Sequence, residues 1–354
     1  MGIGRSSRQT RRCLVTAGII IATSTLVIYL VRSGVPGMAA APVGASWRPA
    51  GLPGQTVHSL AVGHAHRNLL FAGTQTGVYR QADGKWQRVL TSTAVWSLDL
   101  LPGDTELIAG VDDGYVYVSP DRGRSWTNRL VSRQGVYAVT VQPGNRRRII
   151  AGAGGGIYLS RDGGREWARA LKLRGSAGTA FAWLPGSDRI LFAGTVPAGP
   201  GGERRVFVSR DAGATWRPFG RGMATNGGIM SLLFARNRLF AGTMGHAVWM
   251  ARLNDRNWRR AGRGMPATGD HGATLIALPN GTVYVGTLGQ GVFRTRDAGA
   301  LWAGASAGLP RSDGLAVVLS LAATHGGRQL YAGTLSGVYR LSDPRATVTG
   351  ARRE

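Results

Sequence analysis

A short apolar segment that ends in a variant of Ala-Gly-Thr recurs seven times along this chain, and it limits the possible folds more than any other feature. The central glycines of the copies are 37 to 48 residues apart, a spacing in the range of propeller blades. A repeat of this size buries its apolar face by packing on its neighbours. The seven glycines are Gly73, Gly110, Gly152, Gly194, Gly242, Gly286 and Gly333.

Each copy of the motif lies between two other segments of strand-like composition. In the first repeat, residues 57 to 62 precede the motif and residues 77 to 80 follow it. Runs of about six apolar and β-branched residues bounded by Gly, Pro and Asn are typical of strands and too short for helices. A tryptophan then opens a fourth segment, so each repeat predicts four antiparallel strands.

The turn before that tryptophan carries a second signature, Ser/Thr-x-Asp-x-Gly-x-x-Trp, which resembles the Asp-box, or bacterial neuraminidase repeat. Aspartate can accept hydrogen bonds from its own turn, glycine can adopt the positive φ of a tight hairpin, and tryptophan can pack over the turn. We therefore interpret these residues as structural. The four nearly complete copies contain Asp121 and Trp126, Asp162 and Trp167, Asp211 and Trp216, and Asp297 and Trp302.

The two ends of the repeat array complement each other. The last repeat stops at Asp343 without its tryptophan, whereas an additional segment that begins at Trp47 precedes the first repeat and matches the fourth strand of another one. We expect Trp47 to supply the outer strand of the last blade and close the ring, which leaves few exposed sheet edges. The predicted fold is all-β, a single seven-bladed β-propeller of four-stranded antiparallel blades over residues 46 to 343, with a disordered tail at 344 to 354.

The segment before the propeller predicts a membrane anchor. Residues 14 to 31 carry no charge, and as a helix they are about 27 Å long, close to the hydrocarbon thickness of about 30 Å. Four arginines precede this run and one follows it, which favours a cytoplasmic amino terminus and an exported propeller. We predict a basic tail at 1 to 12, a transmembrane signal anchor at 13 to 32 and a linker at 33 to 45. The propeller is then periplasmic or extracellular, or lumenal in a photosynthetic host; a cleaved signal and twin-arginine export are the alternatives.

The formal net charge of +25 favours anionic partners. A GC-rich genome explains the preference for arginine over lysine but not the shortage of acidic residues, 18 in all. Basic residues fall in the loops between predicted blades and in one long turn, where binding specificity usually lies. The predicted binding residues are Arg133, Lys172, Arg174, Arg204, Arg205, Arg221, Arg263 and Arg311.

Catalysis has weak support in the sequence. A glycosidase needs two carboxylates about 5 to 10 Å apart, and Asp270 and Asp313, in loops of adjacent repeats, are the best candidate pair. Both also fit ordinary turn residues in glycine-rich loops. The histidines predict no metal site, and neither a phosphate-binding glycine loop nor any other cofactor site is expected. The sequence favours a protein that is not an enzyme, with glycoside hydrolase as the alternative.

An exported, membrane-tethered Asp-box propeller with a basic loop face resembles the photosystem II stability and assembly factor family and its non-photosynthetic bacterial relatives. The resemblance covers residues 46 to 343, and it identifies the repeat class better than the function because the shared elements are scaffold. It implies a non-catalytic, chaperone-like role in which an arginine-rich patch binds membrane-protein subunits during assembly.

Three functions follow as hypotheses. The first is a monomeric scaffold for an acidic or membrane-embedded protein. The second is a glycan-active hydrolase of the sialidase or glycosidase kind, and the third is an adhesion module that binds a polyanionic glycan or the cell wall. Nucleic acid is not an expected partner of an exported domain.

Overall fold

The regular elements of the protein are β-strands throughout the part of the chain that the structure describes. The computed structural model describes residues 21–22, 25–26, 46–65, 69–198, 201–202, 204–223, 227–245, 248–265 and 272–344. In chain order the strands are β1 Ile21–Ala22, β2 Thr25–Leu26, β3 Arg48–Gly51, β4 Val57–Val62, β5 Leu70–Thr74, β6 Gly77–Ala82, β7 Lys85–Thr91, β8 Val95–Leu100, β9 Leu107–Val111, β10 Tyr115–Ser119, β11 Thr127–Leu130, β12 Val136–Gln142, β13 Asn145–Ser160, β14 Ala168–Trp183, β15 Leu191–Pro197, β16 Val206–Ser209, β17 Arg217–Phe219, β18 Ile229–Ala235, β19 Arg238–Thr243, β20 Val248–Ala251, β21 Arg259–Arg260, β22 Gly272–Ala277, β23 Val283–Gly289, β24 Val292–Thr295, β25 Ala303–Gly304, β26 Ala316–Ala323, β27 Gln329–Thr334 and β28 Gly337–Ser342.

The strands group into antiparallel sheets of unequal width. Three sheets have four strands each, β4 to β7, β8 to β11 and β18 to β21. A six-stranded sheet contains β12 to β17, and an eight-stranded sheet contains β22 to β28 together with β3. The prediction that every repeat forms a separate four-stranded sheet is therefore wrong for these two wider sheets.

Continuous backbone pairing explains why the wider sheets do not separate. The first half of β13 pairs with β12 and its second half with the start of β14, whose own second half pairs with β15. Gly155 lies between the two paired halves of β13 and has a φ of +79°, which glycine adopts readily because it has no Cβ to oppose a positive φ. In the eight-stranded sheet, the end of β23 pairs with β26 through Leu288 and Val317.

Seven strands lie innermost in the molecule and contact one another in a closed cycle. They are β4, β8, β12, β14, β18, β22 and β26, each in contact with the next and β26 in contact with β4. Sheets arranged radially around such a cycle form a β-propeller, so the predicted all-β propeller fold is confirmed. The apolar core lies between neighbouring sheets, as where Phe71 of β5 packs with Val95 of β8 and Leu107 of β9.

The glycine of the Ala-Gly-Thr motif permits the close approach of successive sheets. A Cβ added to Gly73 would lie 2.8 Å from Cγ1 of Val95, at the start of the next inner strand, and one added to Gly333 would lie 2.7 Å from Cγ1 of Val57. Both distances are too short for carbon atoms in contact, so a side chain here would push the sheets apart. The glycines of the other repeats lie equally close to the inner strand of the next repeat: Gly110 to Val136, Gly152 to Gly178, Gly194 to Ile229, Gly242 to Gly272, and Gly286 to Val318.

The segment that begins at Trp47 pairs with the carboxyl-terminal end of the repeat array. Strand β3 lies antiparallel to β28, with Gly51 opposite Val338 and Arg48 opposite Arg340. The Trp47 side chain is buried, and its Nε1 donates a hydrogen bond of 2.7 Å to the Ala305 carbonyl oxygen. Residues from opposite ends of the chain therefore share one sheet.

The predicted transmembrane helix at 13 to 32 lies almost wholly outside the described residues. The 33 to 45 linker lies wholly outside them, and of the 344 to 354 tail only Pro344 is described. Within the predicted helix, only β1 and β2 are described, and they pair with each other as a two-residue antiparallel ladder. Helical structure is not confirmed for these four residues. No helix in the described part of the chain has the length and hydropathy needed to cross a membrane.

Candidate functional site

A cavity of about 420 Å³ lies at the centre of the ring, a size suited to a small-molecule ligand. All seven inner strands contribute to its wall. Four further side chains complete the lining from outside those strands, namely Asp112, Val196, Met244 and Leu288. Because every repeat contributes to the cavity, its chemistry depends on how the repeats differ from one another.

Each inner strand carries the same irregularity at the same place. In β4 the pairing with β5 shifts by one residue between Val57 and Ser59, so His58 is an extra residue in the ladder. This arrangement is a β-bulge, a feature that redirects a side chain and is common beside functional sites. We call the seven extra residues the bulge ring, and all of them line the cavity: His58, Trp96, Tyr137, Thr179, Met230, Ala273 and Leu319.

The bulge ring divides the cavity wall into two chemically different parts. Three consecutive strands contribute the aromatic residues His58, Trp96 and Tyr137, whereas Met230, Ala273 and Leu319 on the opposite side are small or aliphatic. The ring centroids of His58 and Trp96 are 4.4 Å apart, and those of Trp96 and Tyr137 are 6.2 Å apart. Their planes are inclined by 47° and 54°, so the three rings form a concave corner rather than a flat platform.

A carboxylate stands beside this aromatic corner. Asp112, which directly follows β9, accepts a hydrogen bond of 2.9 Å at Oδ1 from the indole Nε1 of Trp96. Nε2 of His58 lies 2.9 Å from Oε1 of Gln75. These contacts fix the orientation of two of the three rings. We call His58, Trp96, Tyr137 and Asp112 the aromatic corner.

Two of these rings are electrically neutral at physiological pH. Burial lowers the pKa of His58 below its ordinary value of 6.5, although the Gln75 hydrogen bond and the Asp112 charge oppose the shift. Burial raises the pKa of Tyr137 to about 12, with a further contribution from the Asp112 charge. The phenol and the imidazole therefore present uncharged faces to the cavity.

A second carboxylate, Asp99 of β8, lines the cavity on the same strand as Trp96. Its Oδ2 accepts a hydrogen bond of 3.0 Å from the backbone amide of Val141 on the neighbouring inner strand. Burial raises the pKa of Asp99, and this amide opposes the shift only in part. Asp99 thus links two inner strands, and its burial destabilises the ionised form of its carboxyl group.

The four aspartate turns, residues 119 to 126, 160 to 167, 209 to 216 and 295 to 302, have nearly the same geometry. In the third, Ser209 Oγ donates to Asp211 Oδ1 over 2.8 Å, and the backbone amide of Thr215 donates to the same oxygen over 2.8 Å. Ser209 Oγ also accepts from the amide of Gly213, which has φ +87°. The Asp211 carboxylate therefore accepts hydrogen bonds from residues of its own turn. Equivalent hydrogen bonds surround Asp121, Asp162 and Asp297.

The pKa values of the turn aspartates are lowered. Hydrogen bonds from Ser125 lower the pKa of Asp121 to about 2, and the Glu166 amide has the main lowering effect on Asp162. For Asp211, burial raises the pKa, but the hydrogen bonds from Thr215 and Ser209 outweigh it. The Leu301 amide is the main cause for Asp297. None of the four lines the cavity.

The tryptophans that end these turns cover them. Indole Nε1 atoms donate to the carbonyl oxygen of the turn glycine in Trp126, Trp167 and Trp216, over 3.2, 3.1 and 3.1 Å. Trp302 is buried in the core, but its Nε1 has no hydrogen-bond partner among the described residues. The structure offers no account of this difference.

The eight predicted binding cations are all exposed, and none lines the cavity. Arg221 and Arg263 exchange backbone hydrogen bonds with the segments that lead into Trp258 and Trp302, beside the outermost strand of the next repeat. The remaining six, Arg133, Lys172, Arg174, Arg204, Arg205 and Arg311, lie in connections between strands or within β14. The structure therefore does not bring these cations together at the cavity.

Only one member of the candidate catalytic pair is among the described residues. Asp270 lies outside the described residues. Asp313 is exposed at φ +51° in a tight turn where Ser312 and Leu315 exchange backbone hydrogen bonds. It does not line the cavity. No cluster of three or more potential metal ligands occurs in the described part of the chain.

Sequence reasoning missed the aromatic corner. Its signal is present in the printed sequence, because the bulged residue differs between repeats while the flanking positions stay similar: Val-His-Ser, Val-Trp-Ser and Val-Tyr-Ala in the first three. A regular strand would alternate its faces, and only the bulge brings this position to the cavity.

Comparisons with known proteins support the fold. No protein-family model matches the chain. No curated protein matches it either. Among solved structures, the GH74 xyloglucanase from Xanthomonas campestris is similar with a TM-score of 0.65 at 15% identity, over 87% of this chain and 55% of the xyloglucanase. U3-55K is similar with a TM-score of 0.67 at 14% identity, over 85% of this chain and 100% of that protein.

A third similar structure is the WD40 β-propeller domain of Doa1, with a TM-score of 0.62 at 11% identity over 84% of this chain and 97% of that one. These identities are too low to transfer an activity, and the neighbours include both a hydrolase and WD40-type propellers. The chain spans about half the length of the xyloglucanase. The comparisons establish a propeller fold.

Proposed function

We propose that this protein is a non-catalytic binding propeller of seven blades that docks an acidic protein partner through exposed arginines. The closed cycle of seven inner strands supports the number of blades. In this count the two halves of β13 are two strands of one blade, whereas the first half of β14 belongs to that blade and its second half is the inner strand of the next. The pairing of β3 with β28 supports closure of the ring by the amino-terminal strand. The aspartate turns support membership of the Asp-box repeat class.

The state of the predicted binding cations is the observation on which the docking proposal rests. All eight are exposed, and within the described residues no carboxylate oxygen lies within 4 Å of them. Arg146, by contrast, is paired with Glu106 over 2.7 Å. Exposed cations that form no ion pair with a described residue keep their charge available for an anionic surface.

The proposed setting is the surface of a membrane. An amino-terminal anchor at 13 to 32 would hold the propeller close to membrane proteins on the exported side, where an acidic or membrane-embedded subunit is the partner that its charge favours. This matches the chaperone-like role implied by the resemblance to photosystem II assembly factors. A polyanionic glycan would also be attracted to the exposed arginines, so the experiment must distinguish a glycan from a protein partner.

A matched pair of charge variants tests the docking proposal. In the first, Arg174, Arg221, Arg263 and Arg311 are changed together to Gln; in the control, the exposed turn residues Arg124, Arg161, Arg165 and Arg210 are changed likewise. Single exposed charges contribute about 0 to 1 kcal/mol each, so four are needed.

Capture of membrane proteins by the full-length protein is then compared at low and high salt. We expect the first variant alone to lose a specific partner. Equal loss in both variants would show that net charge rather than a localised surface is responsible, and capture of glycan alone would replace the protein partner with a polymer.

A glycoside hydrolase is the second candidate, because two carboxylates, Asp99 and Asp112, line one cavity. The raised pKa of Asp99 suits a general acid. If the protein is a hydrolase, turnover of an aryl glycoside should disappear on Asp99→Asn and on Asp112→Asn. Absence of turnover across a broad panel of glycosides would remove this candidate.

A further inference from the structure

The cavity has the opposite charge character from the protein as a whole. The chain carries a net charge of +25, yet no lysine or arginine of the described residues lines the cavity, whereas Asp99 and Asp112 do. A carboxylate in a concave, partly desolvated site acts more strongly than one on the surface because the local dielectric constant is lower. The cavity is therefore the place in this cationic protein where a cation is favoured.

The aromatic corner adds a second attraction for a cation. The faces of Trp and Tyr rings carry partial negative charge, and a cation within about 6 Å of a ring centre is attracted to it. His58, Trp96 and Tyr137 all line the cavity, and neighbouring ring planes are inclined by 47° and 54°, so a compact ligand in the corner can contact more than one ring. Flat stacking on a sugar ring would instead need one broad platform.

Asp112 is placed to complete such a site. Trp96 Nε1 occupies Oδ1 of Asp112, while Oδ2 accepts no hydrogen bond from any residue in the described part of the chain. Asp112 is half-buried and borders the cavity, and its charge acts on both His58 and Tyr137. One carboxylate oxygen therefore remains available beside three aromatic rings.

We propose that the aromatic corner binds a small organic ammonium ion of the quaternary type. Such an ion has a diffuse charge and an apolar surface, which suits aromatic faces and a single carboxylate better than a strongly hydrated metal ion does. The aliphatic wall formed by Met230, Met244 and Leu319 accommodates the rest of an alkyl-substituted ligand. This proposal does not depend on the basic surface, so the two can fail separately.

Calorimetric titration of the full-length protein with choline tests the proposal against a neutral molecule of the same shape, 3,3-dimethyl-1-butanol. We expect the neutral alcohol to bind at least about tenfold more weakly, because it lacks the charge that the rings and Asp112 attract. A short-chain phosphocholine lipid in a parallel titration separates a lipid headgroup from a free ligand. Failure of both choline and the phosphocholine lipid to bind at millimolar concentration overturns the proposal.

Variants assign the binding to the corner. Asp112→Asn keeps an acceptor for Trp96 Nε1 but removes the charge, and it should weaken choline binding at least about fivefold. Tyr137→Leu should weaken it similarly, and Tyr137→Phe, which keeps the ring, should not. Asp121→Asn, in an aspartate turn, is the matched control for lost charge. Equal affinity for choline and the alcohol, or equal loss in Asp112→Asn and Asp121→Asn, contradicts the site.

Discussion

The aspartate turns and the bulge ring are both repeated around the molecule, but they repeat different things. In the turns, backbone and side chain recur together: Ser or Thr, Asp and Gly make nearly the same hydrogen bonds in each copy. In the bulge ring only the backbone recurs. The same one-residue register shift presents histidine in one strand, tryptophan in the next and leucine in another.

This difference separates scaffold from site within a single chain. A side chain that recurs in every aspartate turn has its hydrogen-bond partners inside the same turn. The Asp211 carboxylate, for example, accepts hydrogen bonds from Ser209 and Thr215. A position where the backbone is fixed but the side chain varies has no such local requirement. The unequal side chains of the bulge ring give a nearly symmetrical scaffold one asymmetric cavity, and an asymmetric cavity can recognise a ligand.

The largest effect is expected from the glycines that face the bulges. A Cβ on Gly152 would lie 2.6 Å from the Gly178 carbonyl oxygen, a backbone atom that cannot move aside. Gly152→Val should therefore lower the free energy of unfolding by about 3 kcal/mol or more. Gly304→Val is the control, because a Cβ there meets nothing within 4 Å. Similar denaturant midpoints for the two variants would refute the packing role of the motif.

A smaller loss is expected in the aspartate turns. Asp211→Ala removes the acceptor for Ser209 and for the Thr215 amide and should lower the free energy of unfolding by about 1 to 3 kcal/mol. Asp188→Ala, at an exposed aspartate outside these turns, should change it by less than about 0.5 kcal/mol. Ligand binding by the cavity should be the same in both variants below their melting transitions. A specific loss of binding in a folded Asp211→Ala protein would make the turns functional.

The sequence predicts what is local and repeated, and it fails where the outcome depends on distant pairing. The Ser-x-Asp-x-Gly pattern predicts the turn because its hydrogen bonds join residues within five positions, as at Ser119 and Gly123. The Ala-Gly-Thr repeat predicts the propeller through its spacing. Neither pattern indicates that β13 and β14 join two repeats in one sheet, because that depends on the pairing of Gly154 with Ala177, which are distant in the sequence.

The candidate site was beyond local reasoning for a related reason. His58, Trp96 and Tyr137 are about 40 residues apart in sequence, and only the packing of successive inner strands brings them together. The prediction from basic residues in the loops led instead to exposed cations, of which Arg221 and Arg263 are held beside outer strands by backbone bonds such as Arg263 to Ala300. Bulges leave no fixed composition behind, so the position they redirect is visible only after the strands are aligned.

Acid should lower the stability of the folded protein through the aspartate turns, independently of the cavity. The pKa values of Asp121, Asp162, Asp211 and Asp297 are lowered in the folded protein, that of Asp121 to about 2 from an ordinary 3.8. Groups with depressed folded pKa values contribute stability above the unfolded value and lose it as pH falls towards the folded one. We expect a flat stability profile above about pH 5 and a decline between about pH 4 and 2. Replacing all four with Asn should flatten that decline.

The smallest effect, and the sharpest contrast, is expected from exchanging Asp for Asn in the cavity. Burial raises the pKa of Asp99, so the folded state holds its proton more tightly than the unfolded state does, and stability falls as pH rises through the interval between the two values. Asn can still accept the Val141 amide without carrying a buried charge. Asp99→Asn should therefore raise the free energy of unfolding at pH 7 by about 0.5 to 1 kcal/mol and leave it unchanged near pH 3.

Asp211→Asn should do the opposite, with a loss at pH 7 that fades as the pH approaches 2, because its folded pKa is lowered. Chemical denaturation of both variants across this range measures the two signs directly. If both lose stability at pH 7, Asp99 is a structural carboxylate like those of the turns, and the distinction between scaffold and cavity does not extend to its aspartates.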